Sequence, residues 1–170
     1  MSALLQSLPN PSLPNPSLPR QSLAPLERDT TLSGRLDELS RRFTLTAPEI
    51  DRSARFPFEN FAALQAEGLV AAVVPRPAGG GGATLARAGR IIGAIGRAEA
   101  STALVLTMTY LVHRGLARGD SRWSPTLRDQ VWRSAVTDGA LVNNLRVEPA
   151  LGSPSRGGVP ATVARRTAEG

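Results

Sequence analysis

The chain contains no cysteine, which removes disulfide frameworks, thiolate metal sites and a thiol nucleophile. It has one histidine, His113, so imidazole zinc sites and serine–histidine catalysis have almost no material to work with. Lysine is absent, and all 20 cationic side chains are arginines. Aromatic residues make up only 4%, so a core must be assembled from Ala, Leu, Val and Ile. Long apolar runs are missing too. The most apolar stretch, Ala100 to Val112, is interrupted by Ser101, Thr102, Thr107 and Thr109 and is too short to cross a bilayer. No basic segment followed by an apolar core opens the chain, so it carries no secretory signal pattern. The expectation is a cytoplasmic protein without a membrane partner.

What is present suffices for one domain with a tail. The chain has 170 residues, 41% of them hydrophobic. The net charge of +6 permits phosphate or nucleic-acid partners. The arginines are scattered rather than gathered into a basic block, which resembles the codon bias of a GC-rich genome. No nucleic-acid partner is expected.

Residues 7–19 read SLPNPSLPNPSLP, a five-residue repeat with prolines at 9, 11, 14, 16 and 19. Proline lacks a backbone donor and pushes its predecessor toward extended conformations. Residues 1–27 are therefore expected to be a disordered, polyproline-like leader.

Helical patterns dominate the next hundred residues. Leu32, Leu36, Leu39 and Phe43 form one stripe, with Thr30 or Thr31 as a candidate cap. Pro57 suits a first helical turn, with Phe58, Phe61 and Leu64 as the expected buried face and Gly68 as the terminator. A helix over Thr84–Glu99 would turn Leu85, Ala88, Ile92 and Ile95 inward. Its Gly89, Gly93 and Gly96 would let a neighbouring helix come close. The segment Ser101–Arg118 is apolar almost all round and predicts a buried central helix. His113 near its end is expected to be a structural histidine favoured by the helix dipole. Ser124-Pro125 then starts a helix with Leu127, Val131 and Ala135 inward, ended by Gly139.

The run Ala78–Gly82, AGGGG, has the look of a phosphate loop. It lacks the Gly-Lys-Ser/Thr ending such a loop needs, and Thr84 stands where a dinucleotide fingerprint needs its third glycine. Further on, Ala140 to Val147 adopts the two-residue alternation of a strand, and Val159 to Thr167 reads as a second strand. The fold class expected is mainly α: a helical domain over 28–139, then the first strands of an incomplete β-barrel over 140–170.

A helical bundle leading into a strand that ends in Glu-Pro-x-x-Gly-Ser resembles the acyl-CoA dehydrogenase family. There, an all-α N-terminal domain enters a β-barrel middle domain through Thr-Glu-Pro-x-x-Gly-Ser-Asp. Here the motif is Val147-Glu148-Pro149-Ala150-Leu151-Gly152-Ser153-Pro154. Residues 55–70 (RFPFENFAALQAEGLV) resemble the family's second helix, and 93–106 (GAIGRAEASTALVL) its helix junction. The resemblance covers residues 28–170.

It implies FAD as cofactor, held between middle and C-terminal domains, and acyl-CoA or another small molecule as substrate. A homo-oligomer is implied for the full-length parent. Leu145 and Val147 would approach the isoalloxazine ring. Gly152 and Ser153 would lie beside the flavin, with Ser153 also at the acyl-CoA entrance, offering backbone N–H groups and a hydroxyl to developing negative charge. Val147 in place of Thr and Pro154 in place of Asp are departures that leave the substrate class open. They suit a reduced-flavin monooxygenase of the same fold as an alternative.

The family's remaining β-barrel, its C-terminal helices and the proton-abstracting carboxylate have no counterpart in the chain. Glu148, ahead of a proline, is expected to be a structural hydrogen-bond acceptor, and no catalytic or metal-binding residue is assigned. The chain thus reads as the N-terminal portion of an oxidoreductase, inactive alone and without stoichiometric flavin. A stand-alone helical interaction protein is the reading from another class.

Overall fold

The computed structural model describes residues 29–119, 121–144, 148, 161–163 and 165. Five α-helices occur among them: α1 (Asp29–Ser53), α2 (Phe58–Ala66), α3 (Leu85–Ala98), α4 (Ala100–Arg118) and α5 (Pro125–Asp138), with a single 3₁₀ turn at Arg76–Ala78. No strand occurs among the described residues. The leader lies outside them. Of the segments read as strands, 140–144, 161–163 and 165 are described and are neither helix nor strand.

The stripe of α1 is buried as its spacing requires: Leu32, Leu36, Leu39 and Phe43 are all within the core. The helix begins at Asp29, ahead of Thr30 and Thr31. The helix also continues through Pro48 to bury Ile50. The proline costs one backbone donor without ending the helix. The Ser40 hydroxyl donates to the Ala94 carbonyl at 3.1 Å and ties α1 to α3. Arg35 pairs with the Glu67 side chain and carbonyl at the end of α2.

Three expected faces are turned differently. Phe58 is 58% exposed while Asn60, Phe61 and Leu64 are buried. Leu85 is 75% exposed, and α3 buries Ala88, Ile91, Ala94 and Ile95, with Ile92 only partly covered. Leu127 is exposed, and α5 buries Trp132 with Ala135, Val131 being half-buried. In each case the misplaced residue belongs to the first turn, where the helix is only entering the core. Of the three α3 glycines, only Gly96 stands at a close approach, where an added Cβ would meet the Ala103 Cβ at 3.4 Å. Nothing lies near Gly89, and only an arginine tip near Gly93.

Helix α4 links two apolar clusters. Leu106 and Tyr110 belong to the larger one, with α1 and α3. Val112 and Leu116 belong to a smaller one, with Ala71, Val74, Trp132 and Ala135. It is not buried all round, since Leu104 and Leu111 are about 60% exposed on its outer side.

Leu69 to Val74 is fully buried without being helix or strand. A buried irregular backbone needs acceptors and donors from elsewhere. The glycine run supplies them by folding back alongside: Gly81 N–H donates to the Ala71 carbonyl (3.1 Å), Gly82 to Val74 (2.8 Å) and Ala83 to Ala72 (2.8 Å). A Cβ on Gly80 would lie 2.3 Å from the Val74 carbonyl oxygen. These glycines therefore serve close backbone packing, in keeping with the absence of a phosphate-loop signature.

Candidate functional site

The chain enters the region of interest from α5. Gly139 ends that helix with φ +65, and a Cβ there would also collide with the Gln65 side chain at 2.9 Å. Gln65 in turn donates to the Val136 carbonyl at 3.0 Å, so the exit from α5 is held against α2. Leu141 then packs on the larger cluster and Val142 on the smaller. The Thr109 hydroxyl of α4 takes the Val142 N–H (3.4 Å) and donates to the Val142 carbonyl (3.3 Å). Residues 140–144 are thus pinned to a helix through one side chain. No strand partner is present among the described residues.

Leu145, Val147, Gly152 and Ser153, the expected flavin contacts, lie outside the described residues. Glu148, between them, is described. Its Oε2 accepts from the Ala161 N–H and its Oε1 from the Thr162 N–H, both at 2.8 Å. Hydrogen bonds from Thr162 and from the two backbone amides hold its carboxyl below the ordinary glutamate value. The expected role of structural acceptor is what the geometry shows. The partner amides, 13 and 14 residues away, carry no signal in the sequence.

Buried polar groups run along α4, from its Glu99 cap through Thr102 and Thr109 to His113. Glu99 caps its start. Oε1 accepts from Ser101 N (2.9 Å) and Oγ (2.6 Å). Oε2 accepts from Thr102 N (2.8 Å) and from the Thr102 hydroxyl. Asn60 of α2 donates to that hydroxyl at 3.0 Å. Burial pushes the Glu99 carboxyl up, but the bonds from Ser101 and Thr102 outweigh it and leave the group below its usual value. Sequence reasoning placed the restart of the helix at Ser101 and missed this cap. The signal was an acid two and three residues before serine and threonine at a helix start.

His113 is fully buried, and neither ring nitrogen has a hydrogen-bond partner. Burial pushes its pKa down to about 4. The helix-dipole expectation is therefore overturned: desolvation dominates and keeps the imidazole neutral. Tyr110 donates to the Leu69 carbonyl, and burial raises its pKa far above that of a free phenol.

Two shallow clefts open on this domain. One, about 280 Å³, lies at the start of α3 between Arg76, Gly82, Thr84, Arg87 and Arg90. The other, about 420 Å³, lies between the 3₁₀ turn and Trp132 and Arg133 of α5. Thr84 caps α3 by accepting from Arg87 N–H at 3.3 Å, and Ser124 caps α5 by accepting from Leu127 N–H, also at 3.3 Å. Among the described residues no three His, Asp or Glu side chains gather as a metal site. No described helix is long and apolar enough to cross a membrane.

The donor set bearing on a flavin is therefore partial. What fits is the anchoring of residues 140–144 on α4 through Thr109; the Ala161 and Thr162 amides are already taken by Glu148. Both clefts are shallow and border the 3₁₀ turn at Arg76–Ala78.

Comparison with known proteins bears on the same elements. Residues 37–127, which run from α1 into α5, match the family model described as "Acyl-CoA dehydrogenase, N-terminal domain". The Bacillus subtilis protein YdbM, named as an acyl-CoA dehydrogenase, is 32% identical over 128 residues, covering 75% of this chain and 33% of its own length. FadE25 of Mycobacterium leprae, named likewise, is 36% identical over 107 residues, covering 63% and 27%. FadE25 of Mycobacterium tuberculosis is 31% identical over 129 residues, covering 76% and 32%. The chain spans about a third of the length of these curated relatives. On these matches the chain belongs to the acyl-CoA dehydrogenase family as a counterpart of its helical N-terminal domain.

Proposed function

We propose that the chain is the N-terminal portion of an FAD-dependent oxidoreductase that acts on CH–CH donors of acyl-CoA type. Residues 28–139 form its helical domain, and 140–170 begin a β-barrel middle domain. The observation that carries this reading is the match over residues 37–127, followed in the chain by a Glu-Pro-x-x-Gly-Ser element delivered by a segment anchored on α4.

When bound, FAD would supply the acceptor for a hydride leaving the substrate β-carbon. The chain's own residues would supply position and polarity. Leu145 and Val147 would offer apolar contact to the ring. Gly152 and Ser153 would offer N–H groups and a hydroxyl to a flavin or thioester oxygen. The α-proton would go to a base that no residue of this chain provides. Glu148 is not that base, because both its oxygens already accept backbone hydrogen bonds. On this reading the chain alone neither retains stoichiometric flavin nor turns over.

A chimera tests it. Residues 28–144 would replace the matched segment of YdbM, leaving the rest of that protein intact. The expected product is yellow and bleaches on adding an acyl-CoA. A colourless, well-folded chimera beside a yellow parent would refute the assignment.

The departures at Val147 and Pro154 favour a second reading, a reduced-flavin monooxygenase of the same fold. They are tested by grafting residues 145–154 as well. Loss of bleaching by acyl-CoA with retained flavin would favour the monooxygenase.

A further inference from the structure

The sequence of α4 is apolar on almost every side, a pattern that belongs to a helix covered all round. The structure covers only part of it. Leu106, Tyr110, Val112 and Leu116 are buried in the two apolar clusters, whereas Leu104 and Leu111 stand 63% and 60% exposed in the middle of the helix. Leu85 and Leu127 are exposed in first turns, where a helix is only entering the core. Leu104 and Leu111 have no such reason. Met108 between them and Gly115 beyond them are partly covered. The four positions form a stripe spaced four, three and four residues apart, the spacing with which one helix receives the side chains of another. Gly115 suits the same use. A Cβ there would meet nothing within 4 Å, so nothing in this domain requires glycine at a position where alanine favours the helix.

Charge and length narrow the partner. Residues 100–118 contain no acid, and Arg114 follows Leu111 at the edge of the stripe. A second copy of α4 brings no acid to set against it. The relatives offer another source of cover: the chain spans 33% of the length of YdbM, so most of a protein of that size lies beyond it. We propose that the Leu104–Met108–Leu111 face of α4 is a docking surface for an amphipathic helix with an acidic flank, contributed by the part of the parent protein that this chain does not span. The source of that helix rests on the functional reading above. The need for a cover follows from the apolar pattern of α4 alone.

The test places Leu104→Ser and Leu111→Ser together in the full chain and in the YdbM chimera. Both side chains are exposed in the full chain, so helical circular dichroism and the urea midpoint should not change there. Sedimentation should give the same mass with and without the substitutions. In the chimera the same pair should speed limited proteolysis at the junction after residue 144 by about tenfold or more. Leu104→Met with Leu111→Met keeps the face apolar and should leave the cleavage rate of the chimera unchanged. Equal cleavage of the serine-substituted and unsubstituted chimeras would overturn the proposal. So would a full chain that sediments as a dimer and becomes monomeric with the serines, since a second copy would then be what covers the face. The colour of the chimera judges the functional reading separately: a colourless chimera still protected through Leu104 and Leu111 would leave the docking surface standing.

Discussion

At the start of α4, Glu99 is buried with both carboxylate oxygens occupied by Ser101 and Thr102. Toward the other end of the same helix, His113 is buried more completely, yet neither ring nitrogen meets a hydrogen-bond partner. The two sites share a helix and differ in solvation. A buried charge persists where four donors and a helix N-terminus replace its water. A buried imidazole without partners persists only by staying neutral. One end of α4 is therefore a polar anchor that joins α2 through Asn60, and the other holds a latent weakness, a fully buried imidazole without partners.

Acid should expose the weakness first. The folded-state pKa of His113 is lowered from 6.5 to about 4, so the unfolded chain binds its proton more readily. The stability this contributes is fully present above pH 6.5 and is lost as pH falls toward 4. The loss amounts to about 3 kcal/mol. Urea titrations at pH 7, 5.5 and 4.5 should show the midpoint falling across that window; a flat profile would contradict the orphaned geometry. Glu99 works in a lower window. Its carboxyl is lowered below the ordinary value, so its contribution is present above pH 4.5 and fades only below it.

Removing the anchor comes next in size. Glu99→Ala deletes the cap of α4 and leaves the Thr102 hydroxyl and amide unsatisfied in a buried place. A destabilisation of about 2 kcal/mol follows from the cap and the orphaned donors together. Thermal unfolding at pH 7 measures it, and an unchanged Tm would mean that the network is ornamental.

The opposite sign is expected at the other end. His113→Leu removes two polar atoms that have no partner, and should raise stability by about 1 kcal/mol at pH 7. It should also flatten the profile between pH 7 and 4.5. A loss of stability would show that His113 makes an interaction the geometry does not reveal. The smallest effect belongs to the outer side of α4, between the two sites. Leu104→Ser touches an exposed side chain and should stay within about 0.5 kcal/mol, which denaturant midpoints can resolve.

Much of the fold was legible because it is governed locally. Thr84 and Ser124 cap their helices through side-chain acceptors three residues back from the amide they serve. Gly68 and Gly139 end theirs at positive φ. The α1 stripe is buried along its length. What misled was the phase of shorter helices. Spacing alone admits Phe58, Leu85 and Leu127 to an apolar face, yet all three are exposed, while Asn60, Ile91 and Trp132 are buried. The neighbours that cover those residues come from elsewhere in the chain.

The candidate site divides in the same way. The acceptor role of Glu148 could be read from its place before a proline. Its partners, Ala161 and Thr162, could not, because a contact across 13 and 14 residues leaves no periodic trace. Leu145, Val147, Gly152 and Ser153 were reached through resemblance to a family motif and lie outside the described residues.

By itself the sequence determined where α3 and α5 begin and where α2 and α5 end, since capping hydrogen bonds and the steric demands of glycine and proline act within about four residues. It also determined the chemistry excluded by lacking cysteine and by having one histidine. Only the tertiary structure decided which helix faces are wet, why four glycines follow a buried valine-rich segment, and whether a buried polar group finds partners. Burial and the satisfaction of buried donors depend on what distant segments bring alongside. Glu99 and His113, fourteen residues apart at the cap and toward the end of α4, show both outcomes.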